Sequence, residues 1–131
     1  MIENIIFDFG DVFINLDKQS TAREMEKFGF KSLTPELEEL FAAYEKGLIT
    51  TEYFLDYTKH LFPKADRIDL IQAWNSIILD FPEQRLHFIE NLAKVKDYRL
   101  FLLSSTNEVH IDYVKLRMGY ERFARCGHCC E

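Results

Sequence analysis

Two short apolar runs constrain this chain more than any other feature. The first, Asn4-Ile5-Ile6-Phe7, ends on Asp8 and is followed at once by Phe9-Gly10-Asp11. The second, Arg99-Leu100-Phe101-Leu102-Leu103, ends on Ser104. Neither alternates apolar with polar residues. Continuous apolarity is the pattern of a strand buried on both faces of a parallel sheet, and a glycine just past the first run marks a tight turn. Two such strands, each stopping on a polar group, point to one functional edge. That edge is the carboxyl end of a parallel sheet, where open α/β sheets take their ligands.

Between the runs the pattern is helical. Ala22, Met25 and Phe28 share one side of a segment over about 20–28 that ends at Gly29. Thr34-Pro35-Glu36 supplies an N-cap, a first-turn proline and an acid for the helix dipole. Leu37, Leu40, Phe41 and Tyr44 then recur at helical spacing until Gly47. Thr50 or Thr51 opens a third helix, carrying Phe54, Thr58 and Leu61 to Pro63. Asp66 can cap a fourth, with Leu70, Ile71, Trp74, Ile77 and Ile78 as its buried face. Asp80-Phe81-Pro82-Glu83 has capping-box spacing and opens a fifth, with Leu86, Ile89 and Ala93 inward. Asn107 can cap the last, which carries Tyr113 and Val114.

A crossover between neighbouring parallel strands needs roughly a dozen residues, yet about ninety separate these two. The expected organisation is therefore an α/β parallel-sheet core, partial and Rossmann-like, with an inserted α-helical cap. The core takes residues 1–16 and 81–125, including a crossover helix near 83–96. The cap takes 17–80, and 126–131 is a Cys-rich tail without regular structure.

Composition narrows the function. The length of 131 residues suits one domain with an insertion, and 12 Phe supply volume for a core. The net charge of −6 argues against nucleic acid, whose phosphates call for clustered Lys and Arg. No apolar run approaches the roughly 20 residues of a membrane-spanning helix, so no membrane role is expected. The N-terminus shows no basic leader or cleavage site, which predicts no secretory signal. All three cysteines, Cys126, Cys129 and Cys130, lie in the last six residues. The body thus lacks a disulfide framework, and a reduced, cytoplasmic setting is expected.

Asp8 is the first candidate site residue. A carboxylate closing a buried strand is costly unless hydrogen-bonded, paired or metal-bound, and N–H groups of the Gly10 turn could face an anion beside it. It reads as a nucleophile or metal ligand, or as a strand-ending residue that caps the next turn. Ser104-Ser105-Thr106-Asn107 offers hydroxyls and N–H groups at a helix start, a ready phosphate site, or plain capping by Asn107. Asp17 reads as a cap for the first helix of the insertion. His60, His87 and His110 are single histidines with surface or packing roles.

Ile5-Ile6-Phe7-Asp8-Phe9-Gly10-Asp11-Val12 resembles the first motif of the haloacid dehalogenase-like (HAD) hydrolases. Leu102-Leu103-Ser104-Ser105-Thr106-Asn107 resembles the second motif of their phosphatase branch. The segments Tyr44–Thr50 and Ala73-Trp74-Asn75 look like that branch's helical cap. The resemblance runs from residue 2 to about residue 120, and it implies a Mg²⁺-dependent phosphatase acting on a small sugar or nucleotide phosphate. It makes Asp8 the nucleophile that becomes an aspartyl-phosphate and also a metal ligand. Gly10 becomes a carbonyl ligand of Mg²⁺, and Ser104 holds a phosphoryl oxygen with Ser105 and Asn107 beside it. The cap would close the site.

Three departures qualify the resemblance. Many family phosphatases carry a second Asp where Gly10 stands, so the carbonyl ligand of Mg²⁺ is kept while the proton donor's role is left unassigned and is not transferred to Asp11. The second motif usually has Asn where Ser105 stands. The family also has a later lysine and an adjacent acidic pair, and no two acids adjoin after Ser104. Lys115, on the helix following the second motif, is expected at the solvated surface. The expectation is a C-terminally truncated core, impaired as an enzyme, with a half sheet that calls for a partner chain. The alternative is a non-catalytic remnant or protein-binding module that uses the cap; dehalogenation of a small acid is a third option. The tail's C-x₂-C spacing, with His128 and Cys130 alongside, is open to zinc or to a tail outside the ancestral reading frame.

Overall fold

The computed structural model describes residues 1–95 and 97–119, and the backbone of 128–129. In chain order the elements are β1 (Asn4–Phe7), α1 (Ser20–Glu26), α2 (Pro35–Glu45), α3 (Thr51–Leu61), α4 (Arg67–Asn75), α5 (Glu83–Lys94), β2 (Arg99–Leu102), α6 (Glu108–Met118) and β3 (His128–Cys129). No helix among the described residues is long and apolar enough to cross a membrane. The chain divides into two compact units. One comprises Met1–Leu16, Ile78–Ser104 and the described residues from Tyr113 onward; the other comprises Asp17–Ile77 and Ser105–Asp112.

The first unit is a parallel sheet in the order β1-β2-β3. Asn4 lies opposite Arg99 and Phe7 opposite Leu102. The ladder runs one residue past each end, with Arg99 N–H donating to the Glu3 carbonyl and Leu103 N–H to that of Phe7, both at 2.8 Å. On β1, Ile5 and Phe7 are half-buried, and the Phe7 ring meets that of buried Phe13 at 5.5 Å. Ile6, pointing the other way, is 64% exposed, and so is Leu103 after β2. The expected burial on both faces is therefore corrected: the described residues cover one. In α5, Leu86 and Ile89 are buried but Ala93 is exposed. The expected Asp80 capping box is also absent, because the α5 N-cap is Pro82 without a side-chain cap bond. The Asp80 carboxylate instead accepts from Asn15 Nδ2 at 2.8 Å. Of the tail expected to lack regular structure, 128–129 pairs in parallel with β2, and Cys126 and Cys130 lie outside the described residues.

The second unit is helical, with capping that follows from local sequence. Thr34 accepts from Leu37 N ahead of Pro35, Thr50 accepts from Tyr53 N, and Asp66 and Asp69 form a reciprocal capping box. Gly47 ends α2 at φ 69°, a left-handed conformation that only a residue without Cβ adopts at no steric cost. Leu48 N–H then bonds the Ala43 carbonyl at 2.9 Å. Asp17 accepts from Gln19 N and pairs with Arg23 ahead of α1, while the α1 N-cap, Gln19, makes no side-chain cap bond. The core joins Met25, Leu37, Leu40, Tyr44, Phe54, Leu70 and Trp74, and each such side chain contributes about 1.5–3 kcal/mol on burial.

Candidate functional site

The sheet register fixes where the chemistry-bearing residues stand. β1 and β2 run parallel with Phe7 opposite Leu102, so Asp8 and Ser104 both leave the sheet at its carboxyl edge. Asp8 is exposed, not a buried carboxylate as the apolar run suggests, because β1 is covered on one face. One of its oxygens, Oδ1, accepts from Phe9 N at 2.7 Å, which orients the carboxylate against its own turn. Ser104 is half-buried and Ser105 exposed.

The turn after Asp8 is tightly bonded. Phe13 N–H donates to the Phe9 carbonyl at 2.9 Å and Asp11 N–H to the Ile14 carbonyl at 2.8 Å. Asp11 has φ 59°, a left-handed conformation that Asp tolerates better than most residues with a Cβ. Gly10 is crowded: a Cβ there would come within 2.9 Å of Leu16 Cδ1. The absence of a side chain at this position is thus matched by packing, and the turn bonds named draw on the carbonyls of Phe9 and Ile14 rather than that of Gly10.

These residues suit Mg²⁺ in kind. The ion takes hard oxygen ligands and is usually held by one or two carboxylates, with phosphate and water completing its shell. An exposed Asp8 carboxylate and the Gly10 carbonyl are ligands of that type. Among the described residues no group of three or more His, Cys, Asp or Glu could hold a metal. His128 and the three cysteines of the tail are described at most by backbone. Lys115 is half-buried on α6 and already has a partner, which corrects its expected solvated position.

Asn107 stands in the helical unit and is buried. Its Oδ1 accepts from His110 N at 3.0 Å, capping α6, and from Trp74 Nε1 at 3.2 Å. Its Nδ2 lies 3.1 Å from His110 Nδ1, and His110 Nε2 lies 3.0 Å from the Trp74 carbonyl. The consistent proton assignment has Nε2–H donating to that carbonyl while Nδ1 accepts from Asn107. The imidazole also stacks on the Trp74 ring at 5.4 Å and 15°. Burial pushes the His110 pKa below its ordinary value, partly offset by the bond to the Trp74 carbonyl. What Asn107 contributes to the second motif is therefore the start of α6, since both ends of its amide are engaged. The sequence held one signal of this network, a histidine three residues after a capping Asn, but its partner Trp74 is 36 residues from His110.

No family model matches the chain. It is 27% identical over 113 residues to a D-ribitol-5-phosphate phosphatase of Bacteroides thetaiotaomicron, covering 82% of this chain and 54% of that enzyme. A solved HAD family enzyme from the same organism superposes with a TM-score of 0.79 at 34% identity, over 86% of this chain and 58% of that one. The wild-type HAD enzyme in complex with magnesium and inorganic phosphate gives 0.74 at 33% identity. A predicted HAD-like family hydrolase of Porphyromonas gingivalis gives 0.73 at 29% identity, over 98% of this chain and 62% of that one. The chain thus spans about half the length of the curated relative it matches.

Proposed function

Because the chain belongs to the HAD-like superfamily, we propose that it carries the nucleophile half of a phosphomonoesterase site. Its substrate class is a small sugar or nucleotide phosphate. The observation that carries this reading is the parallel register that brings Asp8 and Ser104 to one sheet edge. The relative active on D-ribitol 5-phosphate and the neighbour that holds magnesium and phosphate support it.

In this reading an Asp8 oxygen attacks phosphorus, the bond from phosphorus to the leaving alkoxide breaks, and an aspartyl-phosphate forms. The Phe9 N–H bond on Oδ1 fixes the carboxylate's orientation for that approach. The Ser104 hydroxyl holds a phosphoryl oxygen at the same sheet edge. Bound at Asp8 and the Gly10 carbonyl, Mg²⁺ would neutralise phosphate charge. The leaving alkoxide takes its proton from water, since Gly10 offers no side chain, and water then hydrolyses the aspartyl-phosphate.

Mg²⁺-dependent phosphate release from a panel that includes ribitol 5-phosphate, hexose phosphates and nucleoside monophosphates tests this. Asp8→Asn abolishes release while the fold, read by circular dichroism, is unchanged. Release that survives in Asp8→Asn, or no release from any substrate, sinks the reading.

A second reading draws on the exposed apolar face of β1 and β2, where Ile6 and Leu103 are each 64% exposed. It is a non-catalytic protein-binding module whose sheet a partner chain covers, and Asp8→Asn leaves such binding untouched.

A further inference from the structure

We propose that the helical unit holds a binding site for one small, uncharged aromatic molecule, in a cavity that plays no part in the phosphate chemistry assigned to the strand edge. The cavity measures about 290 Å³, and its lining includes Met25, Phe41, Phe54, Leu70, Ala73 and Trp74. Protein interiors keep few voids larger than a water molecule, because lining atoms forfeit dispersion contacts across a gap. Its deep walls are core residues, with Phe54 2% exposed, Ala73 3% and Leu70 4%, while Leu33, which also lines it, is 50% exposed and marks an opening to solvent. An apolar cavity of about 150 Å³ stays dry and admits benzene, and this one has about twice that volume.

Two of the lining rings, Phe54 and Trp74, are held from elsewhere, which resists inward collapse. Tyr44 stacks on Phe54 at 4.2 Å and 5°, and its hydroxyl pairs with Thr51 at 2.8 Å. Trp74 is held by Asn107 and by the stacked His110. Pinned rings keep the space open rather than letting it fill by rotamer change.

The polar groups define the ligand by what they withhold. Thr58 lines the cavity but its hydroxyl donates to the Phe54 carbonyl at 2.7 Å, and the Trp74 N–H is committed to Asn107. Lys18 also lines it and already has a partner. Thr21 adds a hydroxyl, compatible with a phenol or an indole as well as a plain arene. A polyol or a phosphate would shed its hydration here without adequate replacement. Phe41 and Phe54 lie 5.2 and 4.9 Å from Trp74 in tilted geometry, so the lining presents ring faces and edges together. That is the arrangement in which an aromatic guest finds offset and edge-on partners.

Trp74 is the chain's single tryptophan and reports on the site directly. Titrating the full chain with iodobenzene, a heavy-atom quencher, should give fluorescence loss that saturates and that toluene, a non-quenching competitor, reverses. Ala73→Leu, which fills the cavity from α4, should weaken binding by about tenfold or more, and Ala22→Leu fills it from α1 should the first variant fold poorly. Strictly linear quenching, a plateau that toluene does not reverse, or a plateau unchanged in a folded filling variant overturns the proposal. Competition by ribitol in place of toluene overturns it as well, since the site would then take polyols.

Discussion

At His110 the fold has chosen the neutral imidazole. Nδ1 accepts from Asn107 and Nε2 donates to the Trp74 carbonyl, so a second ring proton would set a donor against a donor. Burial lowers its folded pKa below the unfolded value of 6.5. The unfolded chain therefore takes up the proton first as the solution is acidified. Stability from this group is fully present above pH 6.5 and is lost as the pH falls from 6.5 through the folded pKa. His110→Gln should be less stable than the parent at about pH 7.5 yet lose less of its urea midpoint on going to about pH 5.5. A parallel loss in both proteins would show that His110 does not govern this window. The residue scale also shows how far the chain could be read. Asp8 and Ser104 are legible as an edge pair because each closes an apolar run. The exposure of Asp8 is not, since it depends on what other elements lay over β1.

Helix ends were legible wherever the cap's partner lies within three residues. Thr34, Thr50, Asp66 and Asn107 each accept from a backbone N–H three positions on, the geometry that makes such residues good N-caps. Asp80 has the same spacing to Glu83 and does not cap. Its carboxylate goes to Asn15, 65 residues away in sequence, while Arg85 donates to Asn15 Oδ1 at 3.0 Å. Backbone bonds between Asn15 and Leu79 and between Asn15 and Asp80 fix that pairing. Local pattern cannot display a competitor that arrives from so far along the chain. Asp66→Ala should cost about 1 kcal/mol in urea unfolding and speed amide exchange in the first turn of α4. Asp80→Ala should leave exchange in the first turn of α5 unchanged and speed it at Asn15 and Leu79. Faster exchange at Leu86 in Asp80→Ala would restore the capping reading.

Across the molecule, the two units differ in how completely they bury what they make. The helical unit encloses an aromatic core built from local periodicity, which is why its inward face could be read from spacing alone. The α/β unit forms the expected parallel pair but leaves Ile2 70% exposed and Ile6 and Leu103 each 64% exposed. Apolar runs reveal what a sheet is suited to bury, not what is present to cover it. Among the described residues β1 is also an edge of the sheet, and an edge strand with exposed apolar side chains invites pairing with another chain. Ile6→Thr isolates this property, since Thr keeps the β-branching that suits a strand while removing apolar surface. Because Ile6 is largely exposed, its effect on unfolding free energy should stay within about 0.5 kcal/mol. Self-association, followed by sedimentation velocity against protein concentration, should fall in the same variant. Stability unchanged with association unchanged would move the associating surface elsewhere. A large loss of stability would mean that Ile6 is covered in solution, so that the face open here is closed by another copy of the chain.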